Sequence, residues 1–123
     1  MAKVLVIEDD PVARAIVVRT LEAQGHTTVC ARDGKRGIAS FHSEQPDLVI
    51  TDIIMPEQEG IETIRMIRNA RPDAKIIAMS GGGRVGNTEF LAIALLAGIC
   101  DVIAKPFEPG DLADRVARCL GGR

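Results

Sequence analysis

Residues 4–11 have the sequence Val-Leu-Val-Ile-Glu-Asp-Asp-Pro, in which an apolar run changes abruptly into three acids and a proline. Four successive apolar residues predict a β-strand that is buried on both faces, as the strands of parallel sheets are. Asp10 followed by Pro11 is typical of a helix N-cap with proline in the first turn. The stretch therefore predicts a strand that passes into a helix, with carboxylates at the junction.

The same alternation of strand and helix continues through the 123-residue chain. Further strands are predicted at 27–31, 48–50, 74–79 and 100–104. Helical spacing of apolar residues, bounded by Gly and Pro, predicts helices at about 11–24, 34–45, 61–71, 87–97 and 109–120. Strands that alternate with helices favour right-handed parallel crossovers. We expect one domain over residues 1–123, an α/β doubly wound five-stranded parallel sheet with helices on both faces.

Composition excludes several classes of protein. Lys plus Arg number 15 and Asp plus Glu number 17, and aromatic residues make up 2%, so we expect no nucleic-acid partner. The longest apolar run, Leu91–Ile99, is far too short to span a bilayer, which needs about 20 residues, so we expect no membrane partner. The N-terminus lacks the pattern of a secretory signal, which favours a cytoplasmic protein.

The three cysteines, Cys30, Cys100 and Cys119, are far apart and form no C-x-x-C motif. This spacing argues against a zinc site or a disulfide framework. We therefore expect all three side chains to be small buried apolar groups.

Charged and polar residues follow the predicted strands. Glu8 and Asp9 come after the first strand, Asp52 after the third, Ser80 after the fourth and Lys105 after the fifth. Ligands of such sheets bind outside the carboxyl ends of the strands, so we expect these side chains to converge there. Carboxylates about 4 Å apart repel by roughly 4 kcal/mol near a protein surface. Mg²⁺, which prefers carboxylate and phosphate oxygens, would remove that cost.

Five motifs together resemble the receiver domain of response regulators, of the chemotaxis-regulator type, over essentially the whole chain. They are Val-Leu-Val-Ile-Glu-Asp-Asp-Pro at 4–11, Asp-Leu-Val-Ile-Thr-Asp-Ile-Ile-Met-Pro-Glu-Gln-Glu-Gly at 47–60, Ala-Met-Ser-Gly at 78–81, Ala-Gly at 97–98 and Lys-Pro-Phe at 105–107. The resemblance implies a flavodoxin-like fold with strand order 2-1-3-4-5. It also implies a cytoplasmic phosphoprotein of a two-component system or phosphorelay.

The resemblance implies a role for each matching residue. Asp52 would accept the phosphoryl group through its carboxylate, and Lys105 and Ser80 would contact that group. Mg²⁺ would be bound by Asp9, Asp52, the backbone carbonyl of Ile54 and, through water, by Glu8, which stands where the family usually has Asp. The Lys105–Pro106 bond is often cis in the family. The chain would be no enzyme, but a phosphoacceptor that assists its own phosphorylation and dephosphorylation.

The implied partners are proteins. A histidine kinase or histidine phosphotransfer protein would dock on the first helix and on the loop after the fifth strand. A downstream partner or a second copy would use the face formed by the fourth helix, fifth strand and fifth helix. The fourth predicted helix, 87–97, has apolar residues on all sides, which agrees with such a face. Alternatively, the preceding loop folds back and covers these residues.

Two departures from the family's pattern affect the switch. Val102 occupies the position three residues before Lys105 where the family has an aromatic ring, so rotation of a ring cannot transmit the signal. The loop at 80–87 is longer than usual and contains Gly81-Gly82-Gly83. We expect it to become ordered on phosphorylation.

Two other functions remain open. The first is a Mg²⁺-dependent phosphohydrolase with an aspartate nucleophile, but the acid expected two residues beyond Asp52 is replaced by Ile54. The second is a degenerate receiver that acts only as a binding scaffold, which the set Asp9, Asp52, Ser80 and Lys105 opposes. Since three residues follow the last predicted helix, the chain is expected to be a stand-alone receiver or a fragment of a longer protein, without an output domain.

Overall fold

The computed structural model describes residues 1–53, 59–80 and 98–121, apart from the side chains of Glu59 and Ser80. Its five strands form one sheet in the order β2-β1-β3-β4-β5, and every neighbouring pair is parallel. The strands are β1 (Lys3–Ile7), β2 (Thr27–Ala31), β3 (Leu48–Asp52), β4 (Ile76–Ser80) and β5 (Asp101–Ala104). The predicted fold class and strand order are confirmed.

Four helices lie within the described residues: α1 (Pro11–Ala23), α2 (Gly34–Glu44), α3 (Glu59–Ala70) and a last one, called the C-terminal helix (Pro109–Cys119). The predicted Asp10 cap is present, since its carboxylate accepts a hydrogen bond of 3.2 Å from the Val12 amide. Gly25, with φ 91°, lets the chain leave α1 in a left-handed conformation. The helix predicted at 87–97 lies outside the described residues.

Two apolar cores lie on opposite faces of the sheet. Successive residues of a strand point to opposite faces, so Leu5 and Ile7 belong to one core, and Val4 and Val6 belong to the other. The first core is completed by α2 and α3, and the second by α1 and the C-terminal helix. This explains why β1 and β3 are apolar without alternation, and it leaves the ends of the strands as the place for polar side chains.

The expectation for the cysteines is wrong. Cys100 and Cys119 form a disulfide with their Cα atoms 6.0 Å apart, and Cys30 is exposed. Cys100 precedes β5 and Cys119 ends the helix that runs back along the sheet, so the two meet although 19 positions separate them. Cys30 lies on β2, which is an edge strand of the sheet. The sequence signal for this pairing was one cysteine at the start of a predicted strand and another at the end of the helix that follows it.

Within the described ranges, no helix has the length and apolar character needed to cross a bilayer.

Candidate functional site

The acids that follow β1 and β3 meet at the carboxyl edge of the sheet. The two strands are neighbours with Ile7 opposite Thr51, so Glu8 and Asp52 occupy the next level of the same register. One carboxylate oxygen from each of Glu8, Asp9 and Asp52 lies within 4.8 Å of the others. The convergence expected from the strand ends is therefore observed for these three acids.

Lys105 lies between two of these carboxylates. Its Nζ donates a hydrogen bond of 2.9 Å to Oε1 of Glu8 and one of 3.3 Å to Oδ2 of Asp52. Glu8 and Asp52 are only 0% and 4% exposed, whereas Asp9 is exposed. Two buried carboxylates are thus held beside one ammonium group, and a third carboxylate opens to solvent.

The pKa values of Glu8 and Lys105 are both raised, for different reasons. Burial raises the pKa of Glu8, and the nearby Asp52 charge adds to the rise, while hydrogen bonds from Lys105 and the Asp10 amide oppose it. Burial on its own lowers the pKa of Lys105, but the bonds and charges of Glu8 and Asp52 outweigh it and raise the pKa. Lys105 is therefore an ammonium group at neutral pH.

The backbone around Glu8 is held at several points. The Glu8 amide donates to the Ala31 carbonyl at 3.0 Å, and the Asp10 amide donates to Oε2 of Glu8 at 3.1 Å. Nη1 of Arg14 donates to the Glu8 carbonyl at 2.8 Å. This role of Arg14 was not predicted from the sequence. The signal was its position in the first turn after Pro11, because helical side chains point back toward the N-terminus.

The end of β3 is held against β4 and α3. The Ile53 amide donates to the Met79 carbonyl at 2.9 Å. Gly60 of α3 approaches so closely that an added Cβ would overlap the Asp52 carbonyl oxygen and lie 2.7 Å from Cα of Ile53. Gly60 belongs to the motif at 47–60, but no separate role was predicted for it from the sequence. Its role is to let α3 approach the backbone of Asp52.

The remaining predicted site residues are only partly described. Ser80 is the last residue of β4 and lies opposite Ala104, which places its backbone at the same edge as Lys105. Its side chain lies outside the described residues. The same holds for Ile54, for the predicted loop at 81–87 and for the predicted fourth helix. The Lys105–Pro106 bond is cis, as the resemblance implied.

The donor atoms at this edge suit a hard divalent cation. All three acids offer carboxylate oxygens, which Mg²⁺ prefers to nitrogen or sulfur, and such a cluster is typical of a magnesium site. Lys105 contacts one oxygen each of Glu8 and Asp52. The acids outnumber the ammonium group three to one, so an added cation reduces their mutual repulsion.

Comparisons with known proteins agree with this description. The family model for the response regulator receiver domain matches residues 4–117. The probable C4-dicarboxylate response regulator DctR of Bacillus subtilis is 36% identical over 108 residues, which are 86% of this chain and 46% of that protein. The chain spans about half or less of the length of the curated relatives it matches.

Solved structures show the same fold. A CheY-like receiver domain protein from Methanospirillum hungatei superposes with a TM-score of 0.88 at 28% identity, covering 98% of this chain and 94% of the other. The BeF3-activated receiver domain of DrrB gives a TM-score of 0.82, also at 28% identity, covering 98% and 97%. With its fold, its acidic edge and the match over residues 4–117, the chain belongs to the response regulator receiver domain family.

Proposed function

We propose that Asp52 accepts a phosphoryl group from the phosphohistidine of a histidine kinase or histidine phosphotransfer protein, and that this switches a partner-binding surface. As a receiver domain, the chain is a phosphoacceptor module of two-component signalling rather than a classical enzyme. The observation that carries the proposal is the buried Asp52 carboxylate, held 3.3 Å from the Lys105 ammonium beside Glu8 and Asp9. The DrrB receiver, which has the same fold, is activated by BeF3, and this supports a phosphoacceptor role for the present chain.

In the proposed reaction, a carboxylate oxygen of Asp52 attacks phosphorus, a new P–O bond forms, and the P–N bond to the donor histidine breaks. Lys105, already bound to the Asp52 carboxylate, orients it and then donates hydrogen bonds to the phosphoryl oxygens. The Ser80 hydroxyl is proposed to contact the same oxygens. Positioning and charge neutralisation suffice for such a transfer. The chain in this way assists its own phosphorylation and, with water as nucleophile, its dephosphorylation.

Asp9, Asp52 and the carbonyl of Ile54 are proposed to hold Mg²⁺ directly, and Glu8 through water. When bound, the ion supplies positive charge against the phosphoryl oxygens and the acids. The cluster of three carboxylates supports this ligand set. Glu8 suits the indirect position because both its oxygens already accept hydrogen bonds, one from Lys105 and one from the Asp10 amide.

The donor protein is proposed to dock beside this edge, on α1 and the loop after β5. Val12 and Ile16 are adjacent on one face of α1 and are 67% and 44% exposed. Between them and Pro106 and Phe107 lies a cavity of about 320 Å³, which also contacts Lys105. An apolar patch that borders the reacting groups fits a helical donor surface presenting its own apolar residues.

The output surface is proposed to be the face formed by residues 87–97, β5 and the C-terminal helix, which would bind a downstream protein or a second copy. Of this face, β5 and the C-terminal helix are described. Arg115 joins them through an ion pair of 2.9 Å to Asp101 and a hydrogen bond of 3.0 Å to the Val102 carbonyl. We propose that a movement of Lys105 reaches the C-terminal helix through β5 and Arg115, without an aromatic residue at 102.

Labelling with acetyl phosphate tests the proposed acceptor. We expect one stable, Mg²⁺-dependent phosphoryl equivalent per chain, and none in Asp52→Asn. Asp73→Asn, in the exposed turn before β4, is the matched control and should label like the wild type. Many turnovers of phosphate release would instead support the phosphohydrolase, and no labelling would support the scaffold.

Two further proposals concern the whole protein. We propose a cytoplasmic location, where receiver domains typically meet their kinases, and cell fractionation tests it. We also propose that residues 1–123 work as one domain. The similar extent of the Methanospirillum receiver supports this, since the match covers 98% of this chain and 94% of that chain. Two separate thermal transitions in calorimetry would contradict a single domain.

A further inference from the structure

The disulfide lies at the edge of the sheet opposite the proposed acceptor. Cys100 directly precedes β5, and Lys105 directly follows it. Five steps along the strand, at about 3.3 Å each, separate Cys100 from Lys105 by roughly 16 Å. Cys119 is the last residue of the C-terminal helix. The bond therefore connects the beginning of β5 to the end of the helix that packs back on it, away from the acidic edge.

The two cysteines differ in their surroundings. Cys100 is an exposed residue, whereas Cys119 is 7% exposed and belongs to the core that Leu112 and Val116 also form. A small thiol or disulfide in solution therefore reaches Cys100 first. Cys119, held by the core beside it, is placed to act second.

The C-terminal helix has contacts that persist without the bond. Leu112 and Val116 are 0% and 1% exposed, and Arg115 binds Asp101 and the Val102 carbonyl of β5. The Cys100 amide also donates to the Ile76 carbonyl at 2.7 Å. Opening the disulfide thus removes one tether at the end of the helix and leaves the rest of the packing in place.

We propose that Cys100 and Cys119 are a reversible redox couple, which small-molecule disulfides close and small-molecule thiols open. Closure fixes the end of the C-terminal helix to the beginning of β5. Receiver domains typically work in a reducing compartment, where the couple stands open as two thiols and closes when oxidised glutathione rises.

The chemistry of closure balances with a disulfide as oxidant. The Cys100 thiolate attacks oxidised glutathione, which breaks its S–S bond, releases one glutathione thiolate and leaves a mixed disulfide. The Cys119 thiolate then attacks the Cys100 sulfur and releases the second glutathione. Two protein thiols are oxidised and one glutathione disulfide is reduced to two thiols. Reduced glutathione or dithiothreitol drives the same steps in reverse.

Cys30 takes no part in this couple. It lies on β2, which the strand order places at the other side of the sheet from β5. Partial desolvation raises the pKa of its thiol, with the Arg14 charge opposing the rise, so its thiolate is scarce at neutral pH. Cys30→Ser therefore gives a clean background that retains the couple.

The Cys30→Ser protein is reduced with dithiothreitol, and one half is then reoxidised with oxidised glutathione. We expect the oxidised half to have an intact mass lower by two hydrogens and to resist modification by N-ethylmaleimide. It should also melt about 10 °C higher, because a bond between two residues 19 positions apart restricts the unfolded chain. Hydrogen exchange should slow at residues 116–121 in the oxidised form. Dithiothreitol should restore the reduced values.

The matched control is Cys30→Ser combined with Cys119→Ser. Treated in the same way, it should gain the mass of one glutathione on Cys100 and show no rise in melting temperature. The proposal is overturned if the Cys30→Ser protein also stops at mixed disulfides. It is equally overturned if its oxidised and reduced forms melt and exchange alike.

Discussion

Lys105 shows how a single side chain makes the acidic edge possible. Glu8 and Asp52 are almost fully buried, and burying a carboxylate without a partner strongly disfavours its charged form. The Lys105 ammonium, itself half-buried, donates a hydrogen bond to each of them. Lys105 donates to Oε1 of Glu8 and the Asp10 amide donates to Oε2, so each oxygen of the Glu8 carboxylate has a donor.

Gly60 sets how close α3 comes to Asp52, and Gly60→Ala tests that contact. The new Cβ would overlap the Asp52 carbonyl oxygen, so the backbone of β3 or α3 must shift. We expect a loss of about 1–3 kcal/mol in the free energy of unfolding, measured in urea, and weaker acetyl-phosphate labelling.

The control is Gly110→Ala in the C-terminal helix, where an added Cβ would have no neighbour within 4 Å. It should leave labelling unchanged and stabilise the protein by up to about 1 kcal/mol, because alanine lowers the entropy of the unfolded chain. Equal effects at the two positions would contradict the role given to Gly60.

At the scale of elements, α1 has two surfaces with different tasks. One side packs into the core through Val17 and Leu21, and the other carries the exposed Val12 and Ile16. We expect Ile16→Glu to slow phosphotransfer from a phosphohistidine protein at least tenfold and to leave labelling by acetyl phosphate intact, because only the protein donor needs this surface. Donor-dependent and donor-free labelling rates measure the difference.

The matched control for the α1 surface is Met66→Glu. Met66 is 45% exposed on α3, on the opposite face of the sheet, so both rates should stay at wild-type values. Equal slowing of the two labelling reactions by Ile16→Glu would show that the substitution harms the fold rather than docking.

The contact of the C-terminal helix with β5 depends on Arg115. It binds Asp101, Asp111 and the carbonyl of Val102 on β5, whereas Arg65 makes one exposed pair with Glu62. We expect Arg115→Met to lower the free energy of unfolding by about 1 kcal/mol and Arg65→Met by less than about 0.5 kcal/mol. Urea unfolding of the two variants measures these losses in the free energy of unfolding. Equal losses would contradict the role given to Arg115.

At the scale of the whole molecule, the acidic edge couples metal binding to stability. A ligand that binds only the folded chain stabilises it, by about 1.4 kcal/mol when its concentration is tenfold above the dissociation constant. We therefore expect saturating Mg²⁺ to raise the melting temperature by about 3–6 °C. The Asp9→Asn protein should lose that Mg²⁺-dependent rise. Without Mg²⁺ it should melt no lower than the wild type, because one of the mutually repelling carboxylates has been removed.

Calorimetry with and without Mg²⁺ measures this coupling, with Asp73→Asn as the surface control. An Asp9→Asn protein that keeps the full Mg²⁺-dependent rise would place the ion elsewhere. A wild-type protein that does not respond to Mg²⁺ would contradict the metal site.

The sequence by itself determined the order of elements, the apolar faces and the residues at the strand ends, because local periodicity and capping depend on near neighbours along the chain. The tertiary structure decided which two carboxylates Lys105 contacts, how closely Gly60 approaches Asp52, what Arg14 holds and that Cys100 meets Cys119. Each of these depends on distances between segments far apart in sequence. Such distances follow from how helices pack back on the sheet, which local pattern does not encode.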